Sequence, residues 1–130
     1  MTHIKPDWAD IFWSYGGRGA ERQEAFLRDA AGWVEVTELA YYDYDWEILR
    51  AYYSPSARRY FWYGSSGCSC NDWTDDIDSP ADFESGDRQA LIRALREFGP
   101  EEGRDRYYWG LTPDDTNAAV RAATLFKENA

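Results

Sequence analysis

Short runs of apolar residues, separated by turn formers, mark the middle of the chain as a set of β-strands. The run WVEVTELAYY (33–42) is rich in the β-branched and aromatic residues that strands favour, and WEILRAYY (46–53) follows after a short acidic break. Turn-forming residues at 54–57 then precede a third run, RRYFWYG (58–64). The pattern predicts an antiparallel meander of about three strands over residues 33–64.

Both faces of the second predicted strand carry apolar side chains. Successive side chains of a strand point to opposite faces, and neither face of this one is purely polar. We therefore expect both faces of the sheet to be partly covered. One face comprises Trp46, Ile48, Arg50 and Tyr52, and the other comprises Glu47, Leu49, Ala51 and Tyr53.

Helical patterns flank this meander on both sides. Residues 7–31 carry an apolar stripe interrupted by glycines at 16–19, which predicts two N-terminal helices. Residues 87–98 place apolar side chains on one side and end at Gly99-Pro100, and a last helix begins after Thr112 with proline at its first position. The stretch 64–87, between the meander and the helix predicted over residues 87–98, is rich in Gly, Ser, Asn, Asp and Pro and is predicted to be a loop.

These elements predict one α+β domain over residues 1–130, with the meander packed against N-terminal and C-terminal helices. The chain has 130 residues, the usual size of a single domain, and 44% of them are hydrophobic, which is enough for one core. The 18% aromatic content, with seven Trp and ten Tyr, exceeds what a small core hides. We therefore expect some tyrosine and tryptophan rings at the surface.

The net charge of −10 decides which partners suit this surface. Phosphate backbones and anionic membranes repel such a charge, so we expect neither nucleic acid nor membrane as a direct partner. A protein with a basic patch is the expected partner, although solubility alone also explains the charge. No secretory or membrane-spanning run is found in the sequence, which predicts a cytoplasmic protein.

Two acidic stretches are interleaved with aromatic residues and form the candidate binding face. Residues 35–47 contain five acids and no base, and residues 68–87 contain seven acids and no base. Acids paired with rings suit a basic protein surface, and they also suit a mimic of nucleic acid. A solvated face with rings buried beneath it is the alternative. The candidate binding residues are Tyr41, Tyr42, Tyr44, Trp46, Asp72, Trp73, Asp75 and Asp76.

Cys68 and Cys70 are the candidate metal ligands. Thiolates bind zinc, but a structural site needs about four ligands, and the spacing C-x-C is not the common C-x2-C. Nearby aspartates or His3 would have to complete the site, so zinc is the alternative and no cofactor is the main expectation. The only histidine is His3 near the N-terminus, which argues against a Ser-His-Asp or Cys-His active site and favours a protein that is not an enzyme.

The segment from the Tyr-rich meander through GSSGCSCNDW to DRQALIRALREF, roughly residues 41–98, resembles small uncharacterised proteins of actinobacterial phages. The resemblance is carried by Gly67-Cys68-Ser69-Cys70 after an aromatic strand, followed by an acidic, aromatic loop and a helix. The stretch 71–73 departs from the Pro-and-Phe arrangement of those proteins. The resemblance implies a phage accessory protein acting inside the host cell. Twelve Arg against two Lys, as GC-rich genomes favour, agree with it.

Taken together, these features predict a non-enzymatic binding module that engages a basic host protein through an acidic, aromatic face. Alternatives that the residues leave open are an immunity-type inhibitor of a basic toxin, a zinc-binding protein centred on the two cysteines, and a minor virion component.

Overall fold

An antiparallel sheet and two helices make up the described part of the chain. The computed structural model describes residues 30–69, 77, 79–100 and 110–128. Four strands lie side by side in chain order: β1 (Val34–Tyr41), β2 (Asp45–Ser54), β3 (Arg59–Cys68) and β4 (Glu84–Gly86). A short 3-10 helix (Pro80–Asp82) precedes β4, and helices α1 (Arg88–Phe98) and α2 (Pro113–Leu125) follow it.

This architecture confirms the predicted α+β class and the antiparallel meander, and it adds a fourth strand. The helices predicted within residues 7–31 fall almost entirely outside the described residues. Ala30 begins the described part in a turn whose Gly32 has a φ of +85°, in the left-handed region that glycine tolerates best. None of the described helices is long and apolar enough to cross a membrane.

The predicted turn between β2 and β3 forms as expected. Ser54 ends β2, and its Oγ accepts a hydrogen bond of 3.2 Å from the backbone N–H of Ala57. Arg58 completes the turn in the left-handed region, with a φ of 53°. The turn fixes a continuous register between the strands, from Ser54 opposite Arg59 to Asp45 opposite Cys68.

Both faces of the sheet are buried, as the alternation in β2 predicts. On one face, Leu49, Ala51 and Tyr53 pack into a cluster with residues of both helices. On the other face, Trp46, Ile48 and Tyr52 form a second cluster. That second cluster also contains Ala30, Trp33, Ile77 and Phe83. Trp33 stacks on Phe61 of β3 with ring centroids 4.6 Å apart, so aromatic side chains pack against this face of the sheet.

Each described helix begins at a side-chain cap. Asp87 accepts a hydrogen bond from the N–H of Ala90 at the start of α1, and Thr112 forms a capping box with Asp115 at the start of α2. The predicted stop at Gly99 is also present, and it has a packing reason. A Cβ at Gly99 would lie 2.2 Å from Thr116 Oγ1, so the close approach of α1 and α2 requires glycine there.

The prediction of a loop over residues 64–87 is wrong at its two ends. β3 continues through the small residues of GSSGC to Cys68, because the long partner strand β2 supplies backbone hydrogen bonds regardless of side chain. Near the other end, Glu84–Gly86 pairs with Tyr60–Trp62 as β4. Much of the intervening stretch lies outside the described residues.

Candidate functional site

The turn between β1 and β2 projects a compact group of tyrosines and aspartates into solvent. We call residues 41–45 (Tyr41, Tyr42, Asp43, Tyr44 and Asp45) the Tyr/Asp tip. Tyr42 is 61% exposed and Tyr44 is 81% exposed, and both aspartates are exposed as well. Of the large hydrophobic side chains in the described part of the chain, only these two and Leu125 are exposed. Two aromatic rings flanked by carboxylates thus stand clear of the core.

Asp43 organises the tip by accepting two hydrogen bonds. Its Oδ1 accepts from the backbone N–H of Tyr44 at 2.8 Å, and its Oδ2 accepts from the hydroxyl of Tyr41 at 3.2 Å. Partial desolvation, followed by the hydrogen bond and negative charge of Asp43, raises the pKa of the Tyr41 hydroxyl above its usual value. The Tyr41 hydroxyl therefore stays protonated at neutral pH and remains a donor.

Arg50 supports the tip from β2. Its Nη2 donates to the Tyr42 hydroxyl at 2.8 Å, and its Nε donates to Glu38 Oε2 at 2.8 Å. Burial alone would lower the pKa of Arg50, but the neighbouring Tyr42, Tyr52 and Glu38 outweigh burial and raise it. The guanidinium is thus a fixed positive group that holds one exposed ring and one acid in place.

The balance of charge around the tip stays negative despite this arginine. Residues 38–50 hold four acids and one base, and the base is paired with Glu38. A partner that approaches the rings of the tip therefore meets the exposed carboxylates of Asp43 and Asp45.

Trp46, which the sequence grouped with these tyrosines, lies in the core. Its ring is only 7% exposed, and its indole N–H donates to the carbonyl oxygen of Cys68 at 2.8 Å. Trp46 therefore supports the second cluster and the end of β3 rather than offering a surface. The signal was available in the sequence, because Trp46 is in phase with Ile48 and Tyr52 along β2.

Cys68 is half-buried at the end of β3, opposite Asp45. Within residues 30–69, 77, 79–100 and 110–128, His, Cys, Asp and Glu side chains nowhere gather in a group of three or more able to hold a metal ion. The other residues predicted for the face or for metal, Cys70, Asp72, Trp73, Asp75 and Asp76, lie outside the described residues. Their roles stay predictions.

A second acidic and aromatic surface was not predicted from the sequence. A groove of about 470 Å³ lies between β3 and α1, with Trp62 and Phe98 in its walls and Asp82, Glu84 and Glu97 among its lining residues. The indole N–H of Trp62 donates to Glu84 Oε2 at 2.9 Å, which orients that carboxylate. Only folding brings these residues together, since 35 positions of chain separate Trp62 from Glu97.

Comparison with known proteins places the chain in a family. Neither the curated proteins nor the solved structures include one that matches this chain. The family model that does match covers residues 28–128, which include every described strand and helix as well as the Tyr/Asp tip. The chain therefore belongs to the family described as Domain of unknown function (DUF7574).

Proposed function

We propose that this domain is a non-enzymatic binding module that engages a basic patch of a partner protein through the Tyr/Asp tip. The observation that carries the proposal is the exposure of Tyr42 and Tyr44 within one three-residue turn, flanked by Asp43 and Asp45. Among the aromatic side chains of the described residues, these two alone are exposed to water. Exposed rings surrounded by charge are typical of interaction surfaces.

The chemistry of the tip suits arginine and lysine side chains on the partner. Tyrosine offers a large contact area while losing few rotamers, and its ring face attracts cations. Carboxylates beside the rings add charge attraction, which speeds association and selects basic partners. Both components sit on one turn, so one basic patch can meet them together.

Arg50 improves the tip as a binding surface by holding Tyr42 in place before the partner arrives. A side chain that is already ordered loses less entropy on binding. The pairing of Arg50 with Glu38 also keeps the guanidinium directed at its own chain. This positive group therefore does not compete with the basic residues of the partner.

The wider proposal rests on the sequence. We propose that Asp72, Trp73, Asp75 and Asp76 extend the same acidic, aromatic face. The resemblance to actinobacterial phage proteins and the excess of Arg over Lys support a phage-encoded protein that acts on a protein of the host cytoplasm.

The test is an affinity purification from actinobacterial lysate with tagged protein, in low and in high salt, with quantification by mass spectrometry. The wild-type protein is expected to retain a basic protein in low salt and release it in high salt, because charge attraction is screened. Replacing both Tyr42 and Tyr44 with serine is expected to reduce retention of the same protein about tenfold or more, as loss of aromatic anchors does.

Leu125→Ser provides the matched control, since Leu125 is 63% exposed and lies at the end of α2. It removes an exposed apolar side chain of similar accessibility from another place. Equal loss of the partner in the tip variant and in this control would contradict the proposal, as would full retention in the tip variant.

A further inference from the structure

No other described strand pairs with the outer edge of β1 over residues 37–40. In the order β1-β2-β3-β4, β1 is the first strand, and within the described part of the chain it pairs with β2 alone. Half of the backbone N–H and C=O groups of such a strand point away from the sheet. These groups form a template on which another extended chain can pair.

A groove runs along this open edge and is walled by α2. Its volume is about 260 Å³, and it is lined by four consecutive residues of β1, from Thr37 to Ala40, together with Asp115, Ala118 and Ala119 of α2. The hydroxyl of Thr37 donates to the carbonyl of Ala119 at 3.1 Å, which fixes the distance between strand and helix. Because the wall of α2 offers alanines, there is room for side chains of an added strand.

The two faces of the edge differ in chemistry. Thr37 and Leu39 point toward α2, since Thr37 bonds to Ala119 and Leu39 packs with it in one cluster. Glu38 points to the opposite face, where it meets Arg50. An added strand would therefore place alternate side chains against the alanines of α2 and the others beside Glu38.

From this geometry we infer that the β1 edge binds an extended basic segment of the partner as a fifth strand. The inference rests on the proposed function for one point, the basic character of the partner. The segment has small apolar residues at alternate positions, facing α2, and lysine or arginine at the positions between them, on the face of the sheet where Glu38 lies. Main-chain hydrogen bonds supply affinity, and the alternation supplies specificity.

A second copy of the chain is a poorer occupant of the same edge. Pairing of two β1 strands would bring the Glu38 carboxylates and the acidic ends of two α2 helices, with Asp114 and Asp115, toward each other. Like charges opposed across strands are destabilising. A basic segment removes this repulsion and replaces it with attraction.

The first test uses a defined probe, a peptide of about eight residues in which valine and lysine alternate, a length typical of strands. Titration of the isotope-labelled full chain, followed by amide NMR, is expected to shift the resonances of residues 37–40 and to slow the exchange of their outward amides. A peptide with glutamate in place of lysine is expected to bind at least about tenfold more weakly. Two further peptides carry backbone N-methyl groups, one on its valines and the other on its lysines. Because only alternate amides of an added strand face β1, at least one of these peptides is expected to lose binding.

A pair of variants on α2 tests the groove without touching the core. Ala118 is exposed and lines the groove, so Ala118→Tyr fills it, and we expect about a tenfold or greater loss of affinity for the valine–lysine peptide. Asn117 is equally exposed but does not line the groove, because it lies about 100° further round the helix. Asn117→Tyr is expected to bind the peptide within about twofold of wild type.

Several results would overturn the inference. They are unchanged peptide affinity in Ala118→Tyr, binding by both N-methylated peptides, outward amides of residues 37–40 already protected in the free protein, or a concentration-dependent dimer through this edge.

Failure of the proposed function gives a different result. In that case the Tyr42→Ser/Tyr44→Ser variant still captures the partner, whatever the peptide does. Peptide binding at the edge together with unchanged capture by the tip variant would refute the tip and support the edge.

Discussion

Replacing Arg88 with methionine is expected to weaken the domain, because this side chain completes the end of a helix other than its own. Arg88 begins α1, and its Nη1 donates to three backbone carbonyls at the end of α2: Ala123 at 2.7 Å, Thr124 at 3.0 Å and Phe126 at 2.7 Å. The last carbonyls of any helix lack partners within the helix. No basic residue stands in the last turn of α2, so Arg88 supplies the positive charge that its dipole favours.

The size of the effect follows from the number of bonds that one nitrogen can make. Nη1 carries two hydrogens, so its three contacts amount to about two good hydrogen bonds, each worth about 1.5–3 kcal/mol when the donor is charged. The side chain is 26% exposed, and water will replace part of this interaction in the variant. The ion pair of Nη2 with Glu128 adds only about 0–1 kcal/mol, as exposed pairs do. We therefore expect Arg88→Met to lower the free energy of unfolding by about 2–4 kcal/mol.

Urea unfolding followed by tryptophan fluorescence and circular dichroism measures this loss as a lower midpoint with an unchanged slope. Arg88→Lys keeps the positive charge but lacks the planar guanidinium group with its several N–H donors. We therefore expect Arg88→Lys to recover less than half of the lost free energy of unfolding. Arg93→Met, an exposed arginine of the same helix, is the control and is expected to change stability by about 0.5 kcal/mol or less. A loss below about 0.5 kcal/mol in Arg88→Met would refute the bonding scheme.

Three further changes test the packing around the helices. Burial and a 2.5 Å hydrogen bond to Glu128 raise the pKa of Tyr60, so the folded state keeps this proton at pH values where the unfolded chain loses it. Stability should therefore fall as pH rises above about 10, the usual pKa of tyrosine, and Tyr60→Phe should show less of this fall in alkaline unfolding curves. Gly99→Ala should lower the unfolding free energy by about 1–3 kcal/mol through its clash with Thr116, and Thr116→Ala in the same chain should restore part of it; additive losses in denaturant titrations would argue against the clash. Asp87→Ala removes the cap of α1 and should lower the thermal midpoint by an amount equivalent to about 1 kcal/mol, whereas Asp87→Asn should not.

Features set by local side-chain chemistry were predictable from the sequence. The alternation of side chains in β2 predicted that both of its faces are buried. Thr112-Pro113 predicted the start of α2, because a helix cap depends on only a few neighbouring residues. The ends of the predicted loop were wrong because strand pairing there depends on backbone groups of distant partners. Asp45 opposite Cys68 and Trp62 opposite Glu84 are examples that no local pattern specifies.

The candidate site was predictable only in part. The sequence identifies the stretch from Tyr41 to Trp46 as acidic and aromatic, and two of its tyrosines are exposed in the fold, while its role in binding stays a prediction. The sequence did not separate these from Trp46, which folding places in the core. The bond from Arg50 to Tyr42 and the groove beside β1 depend on the register of β1 and on the position of α2. They become visible only in the folded chain.

The position of β2 has a consequence for the motions of the domain. This strand is hydrogen-bonded along both edges, and its adjacent residues Ile48 and Leu49 belong to the clusters on opposite faces. Its amide protons should exchange with solvent only when the whole sheet opens, whereas the outward amides of residues 37–40 in β1 should exchange without such an opening. Because both clusters include side chains of β2, truncating a side chain in either cluster should also reduce the stability of the other. The two clusters should consequently melt in one cooperative transition rather than one after the other.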